Sequence, residues 1–194
     1  LRLVQMRWVD LNFIRFDYDL KWAAVFMHPD GTVYGRYGTR AEKGERNSLK
    51  GLVSTMRKAL GLFAKHDKLA PTLAGKKGRK LPYRDIDATG LPFVKRAPKK
   101  VTGRNCIHCH TVHRAEHDLA VAKGTYDPKD FFRYPPLSGI GLELSRDDQS
   151  VVASVTGAAA AAGLRPKDRI LSVDGEYIIS EADWRFFLHE LDPK

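Results

Sequence analysis

The sequence predicts a modular chain of mixed class: an α/β N-terminal part, a short helical segment, and a mostly-β C-terminal part. Three observations carry this. Apolar runs flank an Asp-Gly turn and lead into a helix-period stripe. A basic, Pro/Gly-containing stretch then separates that block from one holding both cysteines. Short apolar runs punctuated by glycine fill residues 138–194.

With 194 residues, the chain is long enough for one large domain or two small ones. Its 43% hydrophobic and 29% charged content excludes wholesale disorder and collagen-like repeats. The longest apolar stretch, Ala158 to Ala162 with Gly163 and Leu164, is far too short to span a bilayer. Two cysteines exclude a disulfide-rich scaffold. Leu1 in place of Met reads as the start of a mature product or a fragment.

In residues 1–70, Phe13, Ile14, Phe16 and Tyr18 form a strand-like run, followed by runs at Trp22–Met27 and Thr32–Tyr37. His28-Pro29-Asp30-Gly31 between the last two is a hairpin signal, because Asp-Gly suits the positive φ angles of a tight turn. Leu49, Leu52, Val53, Met56, Leu60 and Phe63 recur at helical spacing and predict an amphipathic helix with this face inward and Ser48 as its cap. Asp17, Asp19 and Asp30 are read as turn and surface residues. The hairpin and the helix after Gly38 resemble the second half of a thioredoxin-like domain. No cysteine precedes Cys106, so the resemblance implies a degenerate domain, or one whose active half lies upstream of Leu1.

Residues 71–104 carry ten Lys/Arg against two Asp/Glu and supply most of the chain's net charge of +10. Pro71, Gly75, Lys76, Lys77, Gly78, Arg79 and Lys80, then Lys95, Arg96, Pro98, Lys99 and Lys100, lack any period and predict an irregular basic linker. Such a segment is a solvated spacer, or it attracts an acidic redox partner or an anionic membrane surface. With only Tyr83 and Phe93 among these charges, nucleic-acid binding is disfavoured.

Residues 105–137 hold Cys106-Ile107-His108-Cys109-His110. Two thiols three residues apart on a helical turn reach both vinyl groups of one porphyrin, and the next residue places an imidazole at the iron. The motif resembles the attachment signature of c-type cytochromes. The resemblance implies one covalent haem c, with Cys106 and Cys109 as thioether anchors and His110 as proximal ligand. Methionine, the usual sixth ligand in such proteins, is absent downstream of the motif. The sixth position falls to His66, His28, His113, His117, His189, an upstream methionine or no residue, and His66 is the one put forward. Two other chemistries fit the same residues: a redox dithiol of Cys106 and Cys109 tuned by His108, and a zinc set of Cys106, Cys109, His113 and His117.

In residues 138–194, Ser138-Gly139-Ile140-Gly141-Leu142-Glu143-Leu144 precedes a strand at Val151–Val155 and a small-residue helix at Gly157–Leu164. Lys167-Asp168-Arg169-Ile170-Leu171-Ser172-Val173-Asp174-Gly175 follows, and Ser180 caps a helix from Glu181. In this order the segments resemble a bacterial-type PDZ domain, with Lys167 where that family usually has glycine. The resemblance implies a groove beside Gly141–Leu144, a peptide carboxylate held by amides of Gly139, Ile140, Gly141 and Leu142, and Trp184, Phe187 and Leu188 as wall or core. It also implies a last strand that is short or absent. The alternative is a pure packing module whose groove is covered by other parts of the chain.

No Gly-x-Ser-x-Gly elbow and no phosphate loop occur. The expected protein is an extracytoplasmic, periplasmic or surface-associated monohaem c-type cytochrome subunit. It transfers electrons or senses redox state while docked to a larger assembly through its PDZ-like groove. The alternatives are a thiol-disulfide oxidoreductase and a non-catalytic adaptor.

Overall fold

A computed structural model describes residues 6–7, 9–11, 14–40, 46–76, 107–127 and 134–190. The chain is mixed α/β with small two-stranded sheets. It divides into two compact units, Leu1–Lys21 with Gly78–Arg133, and Trp22–Lys77 with Tyr134–Lys194.

In the second unit, β1 (Ala24–Met27) and β2 (Val33–Tyr37) form the expected antiparallel hairpin, with Ala24 opposite Tyr37 and a bulge between Phe26 and Met27. Its turn closes because the Asp30 carboxylate accepts the Thr32 amide at 2.9 Å and Gly31 takes φ +95°. All of β2 is buried, because α1 (Leu49–Phe63) and α5 (Glu181–Glu190) both pack on it. Gly35 permits that approach, since a Cβ there would collide with Ile179 and Asp183.

Helix α1 starts where Ser48 predicts, its hydroxyl accepting the Gly51 amide at 2.9 Å. Its buried face differs from the expected one. Gly51, Thr55, Ala59 and Leu62 face inward, while Leu49, Met56, Leu60 and Phe63 are exposed. Small side chains allow close approach: the Tyr37 hydroxyl reaches the Ser48 carbonyl at 2.7 Å, and a Cβ on Gly51 would lie 2.7 Å from that same oxygen. Ser48 and the short helix α2 (His66–Leu69) bracket α1, and a 3₁₀ turn at Ala74–Lys76 follows. At the start of the expected linker, Leu73 is buried and the Lys76 ammonium donates to the Tyr34 carbonyl at 3.2 Å.

The C-terminal part of this unit begins with a 3₁₀ turn at Leu137–Ile140, closed by Gly141 at φ +73°. Strand β3 (Leu142–Leu144) pairs antiparallel with β4 (Val152–Val155), with Leu142 opposite Val155. Helix α4 (Gly157–Ala161) and the β5 (Ser172–Val173)/β6 (Glu176–Tyr177) hairpin follow, the latter turning at Asp174-Gly175 with positive φ at both. Leu137, Leu142, Leu144, Val152, Ile170, Ile178 and Trp184 form the core.

Helix α5 joins the parts of this unit. The Asp183 carboxylate, almost fully buried, accepts the amides of Arg36 at 2.9 Å and Ile179 at 3.2 Å. The Ser180 hydroxyl caps the Asp183 amide and donates to the Arg36 carbonyl. Burial pushes the Asp183 carboxyl above the usual range, against the opposing pull of Lys76 and Arg36. Burial likewise lowers Lys76.

In the first unit, α3 (Cys109–Ala122) turns Val112 and Ala115 onto Met6, Leu11, Tyr18 and Ile107. The strand expected at Phe13–Tyr18 is absent from its described residues. Turns replace it, because Asp17 accepts the Asp19 amide at 2.9 Å and the Tyr18 hydroxyl reaches back to Ile14 at 2.8 Å. Phe13 lies outside the described residues. No described helix is long and apolar enough to cross a membrane.

Two predictions test this packing. Lys167 sits at φ +78°, a left-handed conformation that glycine favours. Lys167→Gly removes that strain and raises stability by about 0.5–1 kcal/mol, read as a thermal midpoint about 1–3 °C higher. On Asp148, burial raises the carboxyl, but bonds from Lys58 and from Arg169 at 2.9 Å win and hold it below its ordinary value of 3.8. A carboxylate depressed by folding adds stability above its unfolded pKa and loses it as pH falls through the folded one. Asp148→Asn therefore costs about 0.5–1 kcal/mol near pH 7. In denaturant titrations across pH, its difference from the unsubstituted chain closes below about pH 4.

Candidate functional site

Beside β3 lies a cavity of about 280 Å³. Its floor is Leu137 and Leu142, one wall is the first turn of α5, and the opposite strand edge is β3 itself. Among the described residues no strand pairs with β3 on this side. The Leu144 carbonyl at that edge accepts Arg46 Nη2 at 2.7 Å.

Three buried or half-buried charges set the electrostatics. Arg46 Nε and Nη2 lie 3.1 and 2.7 Å from Glu181 Oε2. Arg185 Nε and Nη2 donate to Glu181 Oε1 at 3.1 and 2.7 Å. One carboxylate is thus clasped by two guanidiniums. Glu143, which also lines the cavity, approaches Arg46 Nη1 at 3.2 Å and brings the charges there to two of each sign. Gln149 fixes the arrangement from beneath: its amide donates to the Arg46 carbonyl at 3.1 Å and its oxygen accepts the Glu181 amide at 3.2 Å. A guanidinium fork beside a strand edge suits a carboxylate, which it can bind through two parallel hydrogen bonds.

Of the four residues expected to hold a peptide carboxylate, Gly141 and Leu142 line this cavity, whereas Gly139 and Ile140 are not part of its lining. The Gly139 and Gly141 amides donate within the 3₁₀ turn, to Pro136 and Ser138 at 3.1 and 3.0 Å. Trp184 joins the core, with Phe187 and Leu188 packed against it. Sequence reasoning missed Arg46 and Arg185. The Glu181/Arg185 pair was visible as an i,i+4 charge pair. Arg46 left no such sign, being about 100 residues from the strand it serves.

In the first unit, Cys109 is the first residue of α3 and His110 the second. Cys106 lies outside the described residues. The Cys109 thiol reaches the Leu20 carbonyl at 3.4 Å. Burial pushes this thiol up, against amides at the helix start that pull it down. The His110 imidazole is 54% exposed, and its Nδ1 contacts the Asp19 carboxylate at 3.1 Å. Among the described residues, Cys109, His113 and His117 do not gather into a ligand cluster; the group that does is His28, Asp30 and His66. His66, put forward for a haem's sixth position, has Nδ1 at 2.9 Å from the Tyr34 hydroxyl and Nε2 at 3.5 Å from Asp30.

The PDZ domain family matches residues 151–194, so a PDZ domain occupies this part of the chain, from β4 through α5. No match was found among curated proteins or among solved structures.

Proposed function

We propose that this chain is a docking subunit whose PDZ-like groove takes the carboxylate-bearing end of a partner chain alongside β3. The observation that carries the reading is the pair of guanidiniums, Arg46 and Arg185, that line the cavity beside β3. A peptide strand added there gains main-chain hydrogen bonds from β3, and the arginines supply charge-assisted bonds to its terminal carboxylate. Arg185 is the better placed to rearrange, because its described bonds all go to Glu181, whereas Arg46 also holds Leu144.

A second reading adds electron transfer through Cys106, Cys109 and His110. The favouring observation is Asp19: a carboxylate on His110 Nδ1 fixes the ring's tautomer and leaves Nε2 as the ligand atom. Cys106 and Cys109 would hold a haem c by thioether bonds and His110 would ligate its iron, which when bound supplies one-electron chemistry. Half-burial of Cys109 against Leu20 keeps water from its sulfur. Thioether attachment takes place outside the cytoplasm, which accords with a periplasmic or surface location. The thioredoxin-like reading of residues 1–70 rests on the β1–β2 hairpin followed by α1. The basic stretch at 71–104, described only through Lys76, offers a further surface to an acidic partner or an anionic membrane.

A random hexapeptide library with free C-termini tests the docking reading against the same library amidated. Retention of the free-acid peptides, with affinity about tenfold or more lower for the amides and for Arg185→Ala, is expected. Equal retention of both libraries overturns the reading. For the second reading, intact mass of natively expressed chain is expected to exceed the polypeptide by one haem, and Cys109→Ala, with one cysteine left, prevents attachment through two thioethers. A chain of polypeptide mass alone excludes it.

A further inference from the structure

Where the β1–β2 turn meets the start of α2, His28, Asp30 and His66 bring one donor atom each within 4.8 Å of one another. Asp30 is the hub of the contacts among them. His28 Nδ1 accepts the Asp30 amide at 3.2 Å, yet lies 2.9 Å from Asp30 Oδ1, an oxygen that already accepts the Thr32 amide. A ring nitrogen that accepts an amide presents a lone pair, and so does the carboxylate. The 2.9 Å between that nitrogen and that oxygen holds either the ring proton or, in its place, a cation.

His66 repeats the pattern. Its Nδ1 is 2.9 Å from the buried Tyr34 hydroxyl, and its Nε2 faces Asp30 Oδ2 at 3.5 Å. With the ring proton on Nδ1, donated to the phenol oxygen, Nε2 offers its lone pair to the same space. Holding the remote nitrogen in this way is how proteins orient metal-ligating histidines. The two imidazoles stack at 3.7 Å with planes 11° apart, and the Phe63 ring stands 5.8 Å from His28.

We propose that His28, Asp30 and His66 bind one divalent transition-metal cation of the zinc type. Bond lengths of 2.0–2.2 Å at tetrahedral angles separate neighbouring ligand atoms by about 3.3 Å. The separations of 2.9 Å from His28 to Asp30 Oδ1 and 3.5 Å from His66 to Asp30 Oδ2 lie on either side of that value, and one donor atom from each residue falls within 4.8 Å of the others. The stacked rings fan apart to converge their lone pairs, a rotation about side-chain torsions. Two imidazoles and one carboxylate select zinc, cobalt or nickel over calcium and magnesium, which prefer all-oxygen shells. Three protein ligands leave a position for water, and Asp30 is 35% exposed on its side chain. The cation would tie the hairpin turn to α2.

The test is Co²⁺ titration of the chelator-treated full chain, followed in the visible and by calorimetry with Zn²⁺. One equivalent is expected with nitrogen/oxygen-type bands and no thiolate charge-transfer band, unaffected by millimolar Mg²⁺ or Ca²⁺. That equivalent persists in the Cys106→Ala/Cys109→Ala chain. His66→Gln and Asp30→Asn each weaken it by about 100-fold or more, and Tyr34→Phe by about 10–100-fold. Asp30→Asn keeps an acceptor for the Thr32 amide, so it reports on the site if His66→Gln fails to fold. Absence of such an equivalent, its loss with the cysteines, its displacement by Mg²⁺, or its survival in Asp30→Asn overturns the proposal.

Discussion

Two carboxylates enter the protein on the first turn of α5, and much of the second unit exists to satisfy them. Asp183 gathers the Arg36 and Ile179 amides, joining β2 to the helix start. Glu181, two residues earlier, gathers both Arg46 and Arg185 and turns the other way, toward β3. A buried carboxylate left alone costs several kcal/mol, so each must be met by donors, and the donors come from distant segments. The same helix turn therefore fixes the hairpin to the PDZ domain and sets two guanidiniums beside β3.

This sharing constrains what the groove can accept. Arg46 holds the Leu144 carbonyl, which a long added strand would need, so the open part of the edge is the stretch nearer Gly141 and Leu142. Gln149, fully buried, fixes Arg46 by its main chain and Glu181 by its amide. The site is thus built from four segments of chain, and its charge balance is a property of the fold rather than of the PDZ segment alone.

Local chemistry was legible in the sequence, and long-range chemistry was not. The Asp30-Gly31 turn and the Ser48 and Ser180 caps depend on neighbours within four residues, and the structure shows each; of the PDZ segments, those from Val151 onward match the family. The face of α1 misled because periodicity marks a stripe without saying which stripe is covered. Gly51 is buried because it admits the Tyr37 hydroxyl, and Ala59 because it packs with Tyr34, Leu62, Leu73 and Ile179. Phe13–Tyr18 has strand-like composition, but Asp17 competes for backbone amides and bends the chain. Arg46 sits in a polar run that looks like any solvated loop, and only the fold brings it to Glu181.

The account stands or falls on β3 as an edge open to an added strand. Amide hydrogen exchange of the full chain, with and without saturating free-acid hexapeptide selected from the library, measures this directly. The account predicts slowed exchange at Leu142–Leu144 and along the first turn of α5. Exchange that is unchanged there while peptide is bound, or slowed only on other elements, contradicts it.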